Sequence, residues 1–214
     1  MRRISVFLVT LLVCIPVAAQ GLTPDALWDA LITGNKQFVA GKLAHDKLKE
    51  ERALLRNDQM PPVTILSCSD SRLPPELVFN QSLGALFVVR SAGNVTDTLG
   101  LASIEYAISK GYTTLIVVLG HENCGAVKSS MAGDDPGSPN LLALATRVRT
   151  SFYGIAWDPK DPKMVRKAVE ANVRASAAWL PAQSRIVRDA VLSGKVKIIA
   201  AYYSLETGEV TKLE

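Results

Sequence analysis

Four short runs in this chain, 63–67, 85–89, 114–119 and 196–202, are apolar for most of their length and show no inside–outside alternation. A strand with one face in water alternates. A strand that does not alternate must be covered on both faces, and strands separated by helices run parallel. Helical patterns separate these runs, over about 76–79, 98–110, a short stretch after Gly125, 140–150, 162–179 and 182–193. In the helix over 98–110, Leu101, Ile104, Tyr106 and Ile108 are expected mostly inward. Asp134-Asp135-Pro136-Gly137 reads as a turn, and Glu206-Thr207-Gly208-Glu209 turns the chain into a last short strand. The expected fold is therefore α/β: a mainly parallel central sheet of four strands, a short C-terminal edge strand, and helices on both faces. No internal repeat, low-complexity segment or interdomain linker interrupts it.

Two segments precede this pattern. Thr23-Pro24-Asp25 carries a helix start signal, with a cap residue, a first-turn proline and an acid. Leu27, Leu31, Phe38 and Val39 make its apolar side, and Gly41 ends it. The highly charged stretch 46–56 reads as a solvated helical connector. Residues 20–56 are thus an N-terminal helical arm that needs a surface to cover, and 57–214 are the α/β core of a single domain over 20–214. Residues 1–19 have the layout of a secretory signal peptide: Arg2 and Arg3, an apolar run from Ile4 to Val17, then Ala18 and Ala19 before the cut. Export to the periplasm or the outside of the cell is expected. Loss of Arg2 and Arg3 lowers the formal charge from +4 to +2. That is too little to point to nucleic acid or to an anionic membrane.

Chemistry concentrates at the ends of two of the runs. The first ends in Cys68-Ser69-Asp70-Ser71-Arg72, the third in His121-Glu122-Asn123-Cys124-Gly125. In open parallel sheets, ligands bind beyond the carboxyl ends of the strands, where the strand order reverses. Neighbouring strands lie about 4.8 Å apart, so adjacent runs would bring Cys68, His121 and Cys124 to one point. Thiolate and imidazole donors suit zinc, and three protein ligands with an open fourth position is its catalytic pattern. With Cys14 removed, these are the two cysteines left. A Cys68–Cys124 disulfide is the competing reading, and a histidine three residues from one cysteine argues for metal. Arg72 can grip Asp70 with two parallel bonds and keep it off the metal. Without that grip, Asp70 becomes a fourth ligand and closes the site.

The paired motifs resemble the β-class carbonic anhydrases, from about Gln59 to the Thr207-Gly208 region. The resemblance implies Zn2+ as cofactor and reversible hydration of carbon dioxide to bicarbonate and a proton by zinc-bound hydroxide. It implies Asp70 and Arg72 as the catalytic pair and Gln59, Phe87, Tyr106 and Gly125 as substrate-binding residues. Arg90 matches an arginine that some bacterial members use in a bicarbonate inhibitory site. Ile65 stands where those members have tryptophan, and Tyr203 can fill the third place. The family also implies a homodimer or a dimer of dimers, with the pocket shared between subunits. Two thiolates cancel the charge of zinc, so its bound water is less acid than on three histidines, where its pKa is about 7. Three alternatives stay open: a zinc-binding module sealed by Asp70, a redox protein using Cys68 and Cys124, and a related hydrolase of carbon disulfide or carbonyl sulfide. His45, the other histidine, lies in a charged segment and reads as a surface residue rather than a proton shuttle.

Overall fold

The computed structural model describes residues 21–133, 137–154 and 158–214. The expected signal peptide and most of the Asp134–Gly137 turn lie outside the described residues. Five strands form one sheet: β1 (Val63–Ser67), β2 (Leu86–Arg90), β3 (Leu115–His121), β4 (Lys197–Tyr203) and β5 (Val210–Lys212). Their order is β2-β1-β3-β4-β5. The first four run parallel, and β5 pairs antiparallel with the end of β4. Every residue of β1 and β3 is buried, as the absence of alternation demands.

The α-helices among the described residues are α1 (Pro24–Val39), α2 (Leu48–Leu54), α3 (Pro75–Val78), α4 (Thr98–Ser109), α5 (Gly125–Ala132), α6 (Pro139–Arg149), α7 (Pro162–Gln183) and α8 (Arg185–Leu192). Caps set their starts. Asp97, Ser138, Asp161 and Ser184 each accept a backbone N–H of the following helix. The expected stop after Trp179 is not there. Helix α7 runs on through Pro181, two residues from its end, where the bond that proline removes is one of the last in the helix. None of the described helices is long and apolar enough to cross a membrane.

Two expectations for the arm are corrected. Helix α1 does not await a foreign surface, because Leu27 and Leu31 belong to the chain's own core. It is pinned there by Asn35. The Asn35 amide donates to Val78 O at 3.0 Å and Gly208 O at 2.9 Å, and its oxygen accepts Val210 N–H at 2.9 Å. A Cβ at Gly34 would lie 1.9 Å from Phe79 O, so the close approach of α1 to α3 needs a glycine. The charged segment is not simply solvated either. Glu51 of α2 is buried and accepts from the Ser82 hydroxyl. In α4 the inward positions are Leu101, Ile104 and Ala107. Tyr106 points outward and is 47% exposed, because two residues of helix rotate a side chain by about 200° from Ile104.

Asn35 satisfies three backbone groups with one side chain, those of Val78 and Val210 buried and that of Gly208 partly so. Asn35→Ala leaves them unpaired, and unmade buried bonds cost about 1–3 kcal/mol each. Chemical denaturation should show a loss of roughly 3 kcal/mol for this variant, whereas an unchanged midpoint would mean that α1 is not held by this residue.

Candidate metal centre

Strand order reverses between β1 and β3, since β2 lies outside β1 and β4 outside β3. Cys68 follows the last residue of β1, and His121 is the last residue of β3. The chain then passes through Asn123, a non-glycine residue at φ 53°, and Cys124 becomes the N-cap of α5. Two strand ends and one helix start thus converge on one point. The ligand atoms of Cys68, His121 and Cys124 all lie within 4.8 Å of one another, and all three residues are buried.

This donor set fits a metal ion. The two sulfurs are 4.0 Å apart and both cysteines are free. A disulfide needs about 2.05 Å, whereas two thiolates on a tetrahedral zinc with bonds of about 2.3 Å sit about 3.8 Å apart. His121 is fully buried. Its Nδ1 lies 2.9 Å from Glu122 O, and a carbonyl can only accept, so the proton is on Nδ1. Nε2 is then left with a lone pair and no hydrogen-bond partner, a costly arrangement unless something else binds it. Glu122 is itself fixed. Its N–H donates to Tyr203 O at 2.8 Å, and its carboxylate accepts Ser204 Oγ at 2.9 Å and Glu206 N–H at 3.0 Å.

Hydrogen bonding splits the two thiols. The bond from Cys124 holds Cys68 below the usual thiol range, and a weaker bond from the Gly93 N–H adds to it. The same bond, together with burial, pushes Cys124 up.

Asp70 stands beside this cluster. Its Oδ1 accepts Arg72 N–H at 3.0 Å and Arg72 Nε at 2.9 Å, and its Oδ2 accepts Arg72 Nη2 at 2.7 Å. The Arg72 bond drives the carboxyl well below the usual carboxylate range, so it is ionised throughout the neutral range. Oδ2 lies 3.7 Å from His121 Nε2, close to the cluster and too far for a hydrogen bond. Arg90, at the end of β2, donates to Cys68 O at 3.0 Å and to Asp70 O at 2.7 Å. In this chain it shapes the loop that carries both residues.

Other expected site residues are elsewhere. Phe87 and Tyr106 pack together, with ring centroids 6.4 Å apart, and Tyr112 stands edge-on to Tyr106 at 6.3 Å. Of this aromatic group, Phe87 lies on the edge strand β2, Tyr106 on α4 and Tyr112 just after α4. Phe87 sits opposite Thr64, four residues and about 13 Å of strand before Cys68. Gln59 is exposed on the approach to β1, its N–H on Asp58 Oδ1. Gly125 opens α5 beside Cys124, and a Cβ there would meet nothing within 4 Å. The chain therefore assembles Cys68, His121, Cys124, Asp70 and Arg72 at one point. Phe87 and Tyr106 form a second group, away from the chain's own cysteine–histidine cluster. The grips of Arg90 and of Gly93, whose N–H lies 3.3 Å from Cys68 Sγ, were not visible in the sequence. Ala92-Gly93-Asn94 after a strand was the only hint.

A family model described as carbonic anhydrase matches residues 63–210. Carbonic anhydrase 2 of Mycobacterium tuberculosis is 36% identical over 187 residues, covering 86% of this chain and 90% of that protein. The Mycolicibacterium smegmatis carbonic anhydrase is 37% identical over 191 residues, covering 87% and 92%. Among solved structures, a Coccomyxa β-carbonic anhydrase in complex with acetazolamide superposes with a TM-score of 0.68 at 26% identity, over 86% of this chain and 84% of that one. A tetrameric β-carbonic anhydrase of Sordaria macrospora gives 0.68 at 22% identity, over 88% and 97%, a likeness of fold.

The three-residue cluster should take up one cobalt(II) ion per chain and show thiolate charge-transfer absorption. Cys68→Ser, Cys124→Ser and His121→Ala should each weaken retention by at least about tenfold, since three ligands are the minimum for such a site. Full retention in any of them would remove that residue from the centre.

Proposed function

The chain belongs to the β-class carbonic anhydrases, and on that premise we propose that it hydrates carbon dioxide reversibly at a zinc ion held by Cys68, His121 and Cys124. Zinc, when bound, supplies the Lewis acidity that makes water a nucleophile near neutral pH. The observation that carries the reading is the Arg72 clamp on Asp70, three bonds of 2.7–3.0 Å on the carboxylate next to the cluster. A clamped Asp70 is held off the metal, which leaves the fourth position open to water. The sealed, inert zinc module is disfavoured for the same reason, and the 4.0 Å between sulfurs disfavours the disulfide reading.

Asp70 also orients the nucleophile. Arg72 occupies both carboxylate oxygens, and Oδ2 keeps a lone pair on the side of His121. A water there donates one proton in a hydrogen bond to Oδ2 and points an oxygen lone pair at the carbon of carbon dioxide. Attack forms one carbon–oxygen bond while the electron pair of one C=O π bond moves onto its oxygen; one water proton stays on the product and the other leaves to solvent, so the products are bicarbonate and a proton.

The pocket for carbon dioxide belongs, in this proposal, to the dimer. Gln59, Phe87 and Tyr106 lie away from their own chain's ligands and serve the partner's. Tyr106 is half exposed, and Leu43, Leu48 and Leu54 of the arm are exposed as well, which gives a second copy an apolar surface to cover. Residues 1–19 are proposed to export the chain and to be removed.

Stopped-flow assays should show carbon dioxide hydration by the zinc-loaded protein. Arg72→Ala should lower the rate by about 10–100-fold with zinc retained, and its cobalt form should lose the open-site spectrum as Asp70 moves onto the metal. Wild-type rate and spectrum in this variant would sink the clamp argument.

Mixing inactive Gln59→Ala and Cys68→Ser subunits tests the shared pocket. A mixed dimer collects both defects in one site and leaves the other intact, so activity should return. Verified mixed dimers with no recovery, or an active monomer in sedimentation, would refute shared sites.

A further inference from the structure

Helix α7 packs its apolar stripe, Val165, Ala168, Val169, Val173 and Leu180, against the sheet, and Asn172 lies in that stripe, fully buried. A buried amide among valines is costly unless every polar atom is used. Here both ends of the side chain are used. Its Nδ2 donates to Gly93 O at 2.6 Å, with a longer contact of 3.4 Å to Asn94 Oδ1, and its Oδ1 accepts Ser151 Oγ at 3.0 Å.

Gly93 is the residue whose N–H reaches the metal cluster, 3.3 Å from Cys68 Sγ. It is left-handed, at φ 71°, and Asn94 follows at φ 47°. This tight turn is disfavoured for an unsupported chain. The turn is tied to β1 from one side, by Ser91 N–H on Ser67 O at 3.1 Å and Ser69 N–H on Ser91 O at 3.2 Å. From the other side Asn172 holds it. An unbroken path thus runs from Ser151 through Asn172 and Gly93 to the Cys68 sulfur, joining segments 79 residues apart.

We propose that Asn172 is a positioning residue of the metal centre, holding Gly93 so that its N–H stays on the Cys68 thiolate. The inference rests on the zinc reading above. A hydrogen bond to a thiolate ligand draws electron density off sulfur and fixes its direction. The metal then receives less charge from Cys68 and keeps more of its Lewis acidity. This offsets part of the neutralising effect that two thiolates have on the ion.

Cobalt spectroscopy separates this role from mere packing. Losing the N–H bond raises the energy of the sulfur lone pair, so the thiolate-to-cobalt band of Asn172→Ala should move to longer wavelength. Zinc loss to a chelator should speed up about tenfold. Ser151→Ala, at a half-buried position, should shift both readouts in the same direction by less, and it serves alone if Asn172→Ala does not fold. A lower melting temperature with an unmoved band and unchanged zinc loss, in whichever of these variants folds, would make Asn172 a packing residue and overturn the proposal. Wild-type protein that shows no thiolate band would instead take down the metal reading and this inference with it.

Discussion

The parallel pairing of β1 with β3 is the contact on which the rest depends. These two strands are buried on both faces and sit at the place where the sheet changes direction. Their register places Ser67 beside Leu119, so Cys68 and His121 emerge from adjacent strand ends. A crossover connection between them is required by parallel geometry, and it delivers β2, Arg90 and the Gly93 turn to the same rim. The site is thus a consequence of topology: three segments far apart in sequence end at one edge because the hydrophobic sheet puts them there.

Around that edge, positive and negative groups are arranged in two layers. The ligands come first, with His121 oriented by the Glu122 carbonyl and Cys68 by the Gly93 N–H. Asp70 comes next, ionised and turned aside by Arg72. Arg72 is half exposed, so an ordinary surface ion pair at its place would contribute little. Its importance is geometric. In the proposed zinc site, the three-bond grip on one carboxylate would decide between three protein ligands and four, and so whether water has a place on the ion.

The four long strands, the start of α1 at Thr23 and the meeting of Cys68, His121 and Cys124 were legible in the sequence because each depends on local chemistry: apolar runs, a cap residue, and cysteine or histidine at a strand end. What was not legible depends on contacts across the fold. Tyr106 was expected inward, yet Ala107 fills that position and Tyr106 faces out. The N-terminal arm was expected to lack cover, yet Asn35 ties it to the turn before β5, 173 residues away. Arg90 and Asn172 act on backbone carbonyls, and no side-chain motif records a carbonyl. Asn172 did leave one trace, as an amide at core spacing in an otherwise apolar helical stripe, which is the kind of local rule-breaking that marks functional positions.

The central claim is that Cys68, His121 and Cys124 hold one zinc ion while Arg72 keeps Asp70 away from it. A crystal structure of the protein as purified, with anomalous data on both sides of the zinc absorption edge, tests this most directly. The account predicts one zinc peak per chain, about 2.3 Å from both sulfurs and about 2.0 Å from His121 Nε2, with Asp70 still paired to Arg72 and a water completing the tetrahedron. A Cys68–Cys124 disulfide in place of the peak, or an Asp70 oxygen on the metal with Arg72 released, would contradict it.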